Sequence, residues 1–312
     1  MKLKRKLKKK HILLMIVAAI FITLIAIYAS LFVSLYKNRV EVVEADEVDP
    51  TARKVLIAEA TKKDENVINI LLVGTDSRDP NAELGRSDTM MVVSYNADSH
   101  KATTVSFMRD SLVDIDGYGL DKLGHTYAYG GVGLTINTIN KTYGLDIQNY
   151  VTINFENLVN VIDELGGIEV NITAEEAEYY RVNGMPNIVE GYNTLTGSQA
   201  LAHARNRSID SDFGRTRRQR SVIYGIYQKV RTIKEPSALF SLVNFGMTQV
   251  QTNMDVNTIY ELAMQVLAEE NLMMQQAAIP IEGSYSFGEY NGMSVLEFEL
   301  EPNKERLQEL LY

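Results

Sequence analysis

The chain of 312 residues carries 31 Lys and Arg against 40 Asp and Glu, a formal net charge of −9, and has no cysteine. Zero Cys excludes a disulfide framework, thiolate zinc centres and a cysteine nucleophile, so a folded domain must rest on an ordinary apolar core. An acidic chain is also a poor surface for nucleic acid.

Seven of the first ten residues are basic: Lys2, Lys4, Arg5, Lys6, Lys8, Lys9 and Lys10. No charge follows from Ile12 to Tyr36. As a helix this run of about 25 residues is roughly 37 Å long, against a hydrocarbon core of about 30 Å. It exceeds the apolar core of a secretory signal and lacks a small-x-small cleavage site, which predicts an uncleaved transmembrane helix. Basic residues before it and Glu41, Glu44, Asp46, Glu47 and Asp49 after it place the N-terminus in the cytoplasm and the remainder outside. The expected organisation is a cytoplasmic tail (1–11), a membrane anchor (12–36), an extracytoplasmic stalk (37–65) and one folded domain (66–312). Without the seven N-terminal basic residues the net charge falls from −9 to −16.

Val67 to Val73 is a short apolar run ended by Gly74, the pattern of a buried strand, with Asp76 just beyond it. Arg86-Ser87-Asp88 leads into a second strand, Thr89 to Tyr95, and Ala102 to Phe107 forms a third, followed by Arg109-Asp110. Three strands running up, down and up bring Asp76, Asp88 and Arg109 to one end of the sheet, where open α/β sheets bind ligands. Two carboxylates there suit a hard divalent cation that keeps several waters and bridges to phosphate, magnesium first, with manganese as its substitute. Each Asp taken singly reads as well as a turn cap.

Between Gly117 and Gly131 the glycine density predicts a loop whose backbone approaches something closely. Lys122 within it could reach a phosphate, and His125 could orient a donor or satisfy a core hydrogen bond. No Gly-Lys-Ser/Thr follows, so it is not a Walker-type loop. Leu134 to Tyr143 is helical, Tyr150 to Phe155 a strand, Leu158 to Leu165 an amphipathic helix and Ile168 to Ile172 a strand. Thr196-Gly-Ser-Gln199 is a capping box that opens a helix running into Arg205.

From Arg205 to Arg220, six arginines fall within sixteen residues of this acidic chain. Arginine grips phosphate through a planar, always-charged fork, and the cluster is read together as a phosphate clamp. A helix follows from Arg215, with Val222, Ile223, Ile226, Val230 and Ile233 as its apolar face. Arg215 and Gln219, four apart, share one face near its N-terminus, where anions bind favourably. Ile223 to Ile233 and Leu239 to Phe245 could line an apolar groove. Asn291-Gly292 is a hairpin turn between Phe287 and Phe298, and Lys304 to Leu311 a closing helix. Strands alternate with helices, so the fold class is α/β.

The pieces Gly74-Thr-Asp-Ser-Arg78, Arg86-Ser-Asp-Thr-Met90, Ser106-Phe-Met-Arg-Asp110, Lys122-Leu-Gly-His125, Tyr127-Ala-Tyr-Gly-Gly131, Leu195 to Arg207 and Asp212-Phe-Gly-Arg215 through Gln219 stand in a specific order and spacing. Over nearly its whole length the chain resembles the LytR-CpsA-Psr (LCP) proteins of Gram-positive bacteria. The resemblance implies an α-β-α layered fold around a mixed central sheet, anchored in the cell membrane. It implies an enzyme that takes a glycan from a polyprenyl (undecaprenyl) pyrophosphate carrier. The glycan, as its phosphate, passes to a peptidoglycan hydroxyl and polyprenyl phosphate is released. By the same resemblance Asp76 and Asp88 are the Mg²⁺-associated carboxylates, and Arg86, Arg109, Arg205, Arg207, Arg215 and Gln219 contact the pyrophosphate. The chain departs from the family at Met108, where proline is usual, at His203, where an aromatic is common, and at Gly124, where a polar residue is more frequent. Asp110 and Asp212 are candidates for removing the acceptor proton, or for orienting arginines. A lipid pyrophosphate hydrolase and a non-catalytic lipid-head-group or regulatory module are the competing expectations.

Overall fold

The computed structural model describes residues 64–75 and 87–312. The expected tail, anchor and nearly all of the stalk lie outside the described residues, as do Asp76 and Arg86. Among the described residues no helix is long and apolar enough to cross a membrane.

In chain order the structure begins with strands β1 (Val67–Thr75), β2 (Ser87–Asn96) and β3 (Lys101–Phe107), then a small hairpin of β4 (Leu112–Ile115) and β5 (Gly119–Lys122). Helix α1 (Thr126–Tyr143), β6 (Asn149–Asn154), helix α2 (Phe155–Glu164), β7 (Ile168–Ile172), helix α3 (Ala174–Val182), β8 (Gly191–Leu195) and helix α4 (Gly197–Arg205) follow. The remainder is α5 (Asp212–Arg231), α6 (Pro236–Met247), β9 (Gln251–Thr252), α7 (Val256–Ala268), β10 (Met273–Ile279), the hairpin β11 (Tyr285–Tyr290) and β12 (Met293–Phe298), and α8 (Leu300–Leu311).

Six strands form the central sheet in the order β10-β3-β2-β1-β6-β9. The expected up, down, up arrangement is present, since β1–β2 and β2–β3 are antiparallel, with Thr75 opposite Ser87 and Met91 opposite Ser106. β6 is parallel to β1 and β10 to β3, which makes the sheet mixed. β1 shows how its two faces differ. Leu71 and Val73 are fully buried against α1 and α8, while Ile70 and Leu72, equally apolar, are only half buried on the opposite face. That second face is covered by α2, α4 and α5, whose Ile162, Ala200 and Val222 form a second core with Ile168 of β7, Leu195 of β8 and Tyr180 of α3. Two apolar layers and an intervening sheet are the three-layer solution for such faces.

The stretch Gly117 to Gly131 is more ordered than its glycines suggest. It holds β5, a 3₁₀ turn at Leu123–His125 and the first turns of α1, and Gly130 and Gly131 only kink that helix. Thr126 starts it, its Oγ1 donating to the Leu123 carbonyl at 2.7 Å. The strand expected over 150–155 ends one residue sooner, because Asn154 serves as N-cap and accepts from the Asn157 N–H at 2.8 Å. The capping box of Thr196 and Gln199 and the Asn291-Gly292 hairpin turn form as expected. The closing helix starts at Leu300 rather than Lys304, its first residue packing on the core below.

Candidate functional site

Antiparallel pairing of β2 with β3 sets the start of one beside the end of the other, and the side chains just there carry opposite charge. Arg109 Nη1 donates to Asp88 Oδ1 at 2.6 Å, and Arg207 Nη2 reaches the same oxygen at 3.3 Å. Arg109 Nε lies 3.8 Å from Asp110 Oδ2 and 4.0 Å from Asp212 Oδ2. Asp212 in turn accepts from Arg215 Nη2 at 2.9 Å, and Asp110 from Lys122 Nζ at 2.9 Å. Asp88, Arg109, Lys122, Arg207 and Arg215 therefore form one network, with Asp110 and Asp212 as its orienting carboxylates. Lys122 meets the site through Asp110, and His125 Nδ1 donates to Asp121 Oδ1 at 2.9 Å.

Arg215 is only 2% exposed, and its Nε and Nη1 have no partner among the described residues. Burial pushes this guanidinium down to about 10, against the pull of Asp212, so it is still charged at neutral pH. A buried charged donor with free N–H groups is costly unless an anion completes it. The cation is poised for one.

The arginine cluster divides in two. Arg205, Arg207 and Arg215 belong to the site, whereas Arg217, Arg218 and Arg220 are held by the protein itself. Arg218, 1% exposed, makes a bidentate pair with Asp210 at 2.6 and 3.0 Å and reaches Glu176 at 3.3 Å. Its Nη2 also donates to the Asn206 carbonyl at 2.9 Å, which fixes the link between Arg205 and Arg207. Arg217 Nη2 pairs with Glu176 at 3.1 Å, and Arg220 Nη1 donates to Ser106 Oγ at 2.9 Å. Gly214 makes room for this network, because a Cβ there would overlap the Asp210 carboxylate.

Gly124 has a similar part beside Arg109. Its N–H donates to the Arg109 carbonyl at 2.7 Å, and a Cβ would stand 3.0 Å from the Arg109 Cβ. Met108 suits its place for another reason. Its N–H donates to the Ile279 carbonyl at 2.8 Å and extends the β3–β10 ladder, a bond proline could not make.

Beside the charged network a cavity of about 320 Å³ opens on the second face of the sheet. Leu72, Met91 and Ile153 form its floor, and Leu158, Leu201 and Ile226 part of its roof. Both expected groove segments contribute, the first through Ile223 and Ile226 and the second through Val243. Gly74, Thr89 and Asn154, all at the strand ends near Asp88, also line it, together with Arg205 and Gln219. Arg205 lies over the Phe155 ring, 4.3 Å from its centroid, a cation–π contact that holds the guanidinium at this mouth. No motif pointed to Phe155. Its position as the first residue of α2, directly after the end of β6, became visible only in the fold.

Among the described residues no group of three or more His, Asp or Glu could hold a metal ion by itself. Asp88 supplies one carboxylate, whose Oδ1 accepts from both Arg109 and Arg207.

A family model described as the LytR_cpsA_psr family matches residues 30–309. The chain belongs to that family. This LytR_cpsA_psr chain is 35% identical over 257 residues to the polyisoprenyl-teichoic acid–peptidoglycan teichoic acid transferase TagU of Bacillus mycoides, covering 80% of each. It is 36% identical over 208 residues to TagU of Oceanobacillus iheyensis, a match spanning 64% of this chain and 63% of that one. Among solved structures it is similar to B. subtilis TagT and to TagT bound to LIIa-WTA. Each is 25% identical with a TM-score of 0.66, covering 81% of this chain and 95% of the other.

Proposed function

We propose that this protein is a membrane-anchored phosphotransferase, its catalytic domain outside the cell and its N-terminus in the cytoplasm. It moves a glycopolymer phosphate from a polyprenyl pyrophosphate carrier to a peptidoglycan hydroxyl. The observation that carries this reading is the junction of an apolar cavity with a cationic cluster. Arg205 and Gln219 line the cavity while Arg207, Arg109 and Arg215 gather at and beside Asp88. A polyprenyl diphosphate has the same two halves, an apolar chain and a compact polyanion. The names of the TagU relatives support a teichoic acid as the polymer and peptidoglycan as the acceptor.

In the transfer the acceptor oxygen forms a bond to the glycan-side phosphorus, and the anhydride P–O bond breaks. Polyprenyl phosphate leaves with that electron pair, and the acceptor proton is released. Phosphoryl transfer of this kind needs mainly positioning and neutralised charge. Arg215, completed by a phosphate oxygen, and Arg109 and Arg207, held through Asp88, supply fixed positive charge at the diphosphate. Asp110 and Asp212 hold Lys122, Arg109 and Arg215 in place. Magnesium fits a donor set of one or two carboxylates with phosphate oxygens and water. Asp88 and Asp76 would hold it, and when bound it would neutralise diphosphate charge.

The test is a reconstituted reaction with lipid-linked donor and peptidoglycan, its products identified by mass spectrometry. Glycan joined to the wall sugar through a phosphodiester is the expected product. Free glycan phosphate alone would instead make the protein a hydrolase, and no turnover would make it a binding module.

A further inference from the structure

Three aromatic side chains with no part in the phosphate network lie against its rim. Phe213 follows Asp212 in the first turn of α5, and its ring stacks on Tyr285 with centroids 5.0 Å apart and planes at 21°. Phe287, two residues further along β11 and so on the same face of that strand, stands edge-on to Tyr285 at 5.9 Å and 88°. It is 77% exposed, the most exposed large apolar side chain among the described residues. An aromatic ring left in water at such a place marks a binding surface.

The hairpin that carries this ledge is tied to the site. Phe287 pairs across it with Leu296, whose N–H donates at 2.8 Å to the carbonyl of Asp110, the carboxylate that holds Lys122. Sheet order fixes which side the ledge occupies. The cavity is floored by β1, β2 and β6, whereas the hairpin follows β10, which pairs with β3 at the other edge. Asp88 and Arg109, at the start of β2 and just past β3, stand between the two. In-line displacement brings the nucleophile in opposite the leaving group. With the lipid phosphate leaving on the cavity side, the acceptor hydroxyl enters from the side of the ledge.

We propose that Phe213, Tyr285 and Phe287 form the acceptor subsite, where a pyranose ring of the wall glycan stacks its C–H face on the exposed Phe287 ring. This rests on the transferase reading above, which assigns the cavity to the lipid. Axial C–H groups of a pyranose meet the electron-rich face of an aromatic ring favourably, and the sugar hydroxyls remain in water.

The chain has no tryptophan, so Phe287→Trp creates a single fluorescent reporter on the exposed ledge. The full-length variant in detergent is titrated with peptidoglycan fragments of two or more disaccharides, with polyprenyl phosphate, and with lipid-linked donor. A saturable blue shift with the fragments and none with polyprenyl phosphate is expected. No shift with the fragments, or a shift with the lipid-linked donor alone, overturns the assignment, the second result by placing donor sugar on the ledge. Phe287→Ala should raise the KM for acceptor about tenfold while polyprenyl lipid still co-purifies. An unchanged acceptor KM also overturns it. If the wild-type protein forms no transfer product, the transferase reading fails, and the titration still decides whether the ledge binds wall glycan.

Discussion

Arg109 Nη1 lies 2.6 Å from Asp88 Oδ1, a contact between residues at the adjoining ends of β3 and β2. Both side chains are about a quarter exposed, and Arg207 shares the same carboxylate oxygen. Asp88 thus aligns two guanidinium groups from distant parts of the chain at the mouth of an apolar cavity.

Replacing either partner tests that alignment. Arg109→Ala and Asp88→Asn should each lower the transfer rate by about 100-fold or more, as removal of a fixed charge from a phosphoryl site does. A partly exposed pair adds little to folding, so denaturation should show a stability change below about 1 kcal/mol. Wild-type transfer in either variant would remove these residues from the reaction.

The division of the arginine cluster leads to a contrast between two substitutions. Glu176→Ala removes the buried carboxylate shared by Arg218 and Arg217, leaving Asp210 as their partner, and should cost about 1.5–3 kcal/mol in urea denaturation. Arg207→Ala, at an exposed position, should change stability by no more than about 0.5 kcal/mol. Its loss should appear instead in transfer rate. Equal destabilisation by the two would mean that the cluster is not divided in this way.

The cavity can be filled without disturbing the charged network. Leu72→Trp puts a larger apolar side chain on its floor and should displace the lipid tail while leaving Asp88 and Arg109 in place. Polyprenyl lipid that co-purifies with the wild-type protein should then fall by about tenfold or more, with a thermal midpoint no lower than wild type, because an open void is being closed. Undiminished lipid in a folded variant would place the tail elsewhere.

His203 gives a dependence on pH. Its Nδ1 is 2.7 Å from the Tyr180 hydroxyl and its Nε2 3.2 Å from Ser221 Oγ. Burial pushes this imidazole down to about 4, Glu176 pulls the other way, and Arg218 and Arg217 reinforce the fall. An unfolded histidine titrates near 6.5. Above that pH the ring is neutral in both states and its contribution is complete. Between about 6.5 and 4 the unfolded chain takes up a proton that the folded one refuses, so stability drops by up to about 1.4 kcal/mol per pH unit. Urea midpoints measured from pH 7.5 to 5 should fall more steeply for the wild type than for His203→Phe. Identical slopes would contradict this.

Much of this arrangement was legible in the sequence because it depends on short-range patterns. Apolar runs ended by Gly74 or followed by Arg109-Asp110 marked β1 to β3, and their antiparallel order was enough to place Asp88 beside Arg109. The capping box at Thr196 likewise marks the start of the helix that runs into Arg205. What could not be read depends on partners far away in the chain. Arg215 and Arg218 each have an Asp close by in the same stretch, and what sets Arg218 apart is the buried Glu176 more than forty residues upstream. β10, with the mixed sequence Met-Met-Gln-Gln-Ala-Ala-Ile, is a half-buried edge strand defined by pairing with β3 rather than by alternation. α3 is short and polar, and its capping box of Thr173 and Glu176 was its one local signal. Lys122, read as able to reach a phosphate, is held at 2.9 Å by Asp110, a partner the glycine-rich stretch around it does not announce.

The measurement that bears most directly on the joined cavity and cationic cluster is mass spectrometry of lipid bound to the full-length protein purified from membranes in mild detergent. Wild type should carry polyprenyl phosphate or pyrophosphate in near one-to-one amount, and Arg215→Ala should lose it. A wild-type protein without such lipid, or an Arg215→Ala protein that retains it undiminished, would contradict the account.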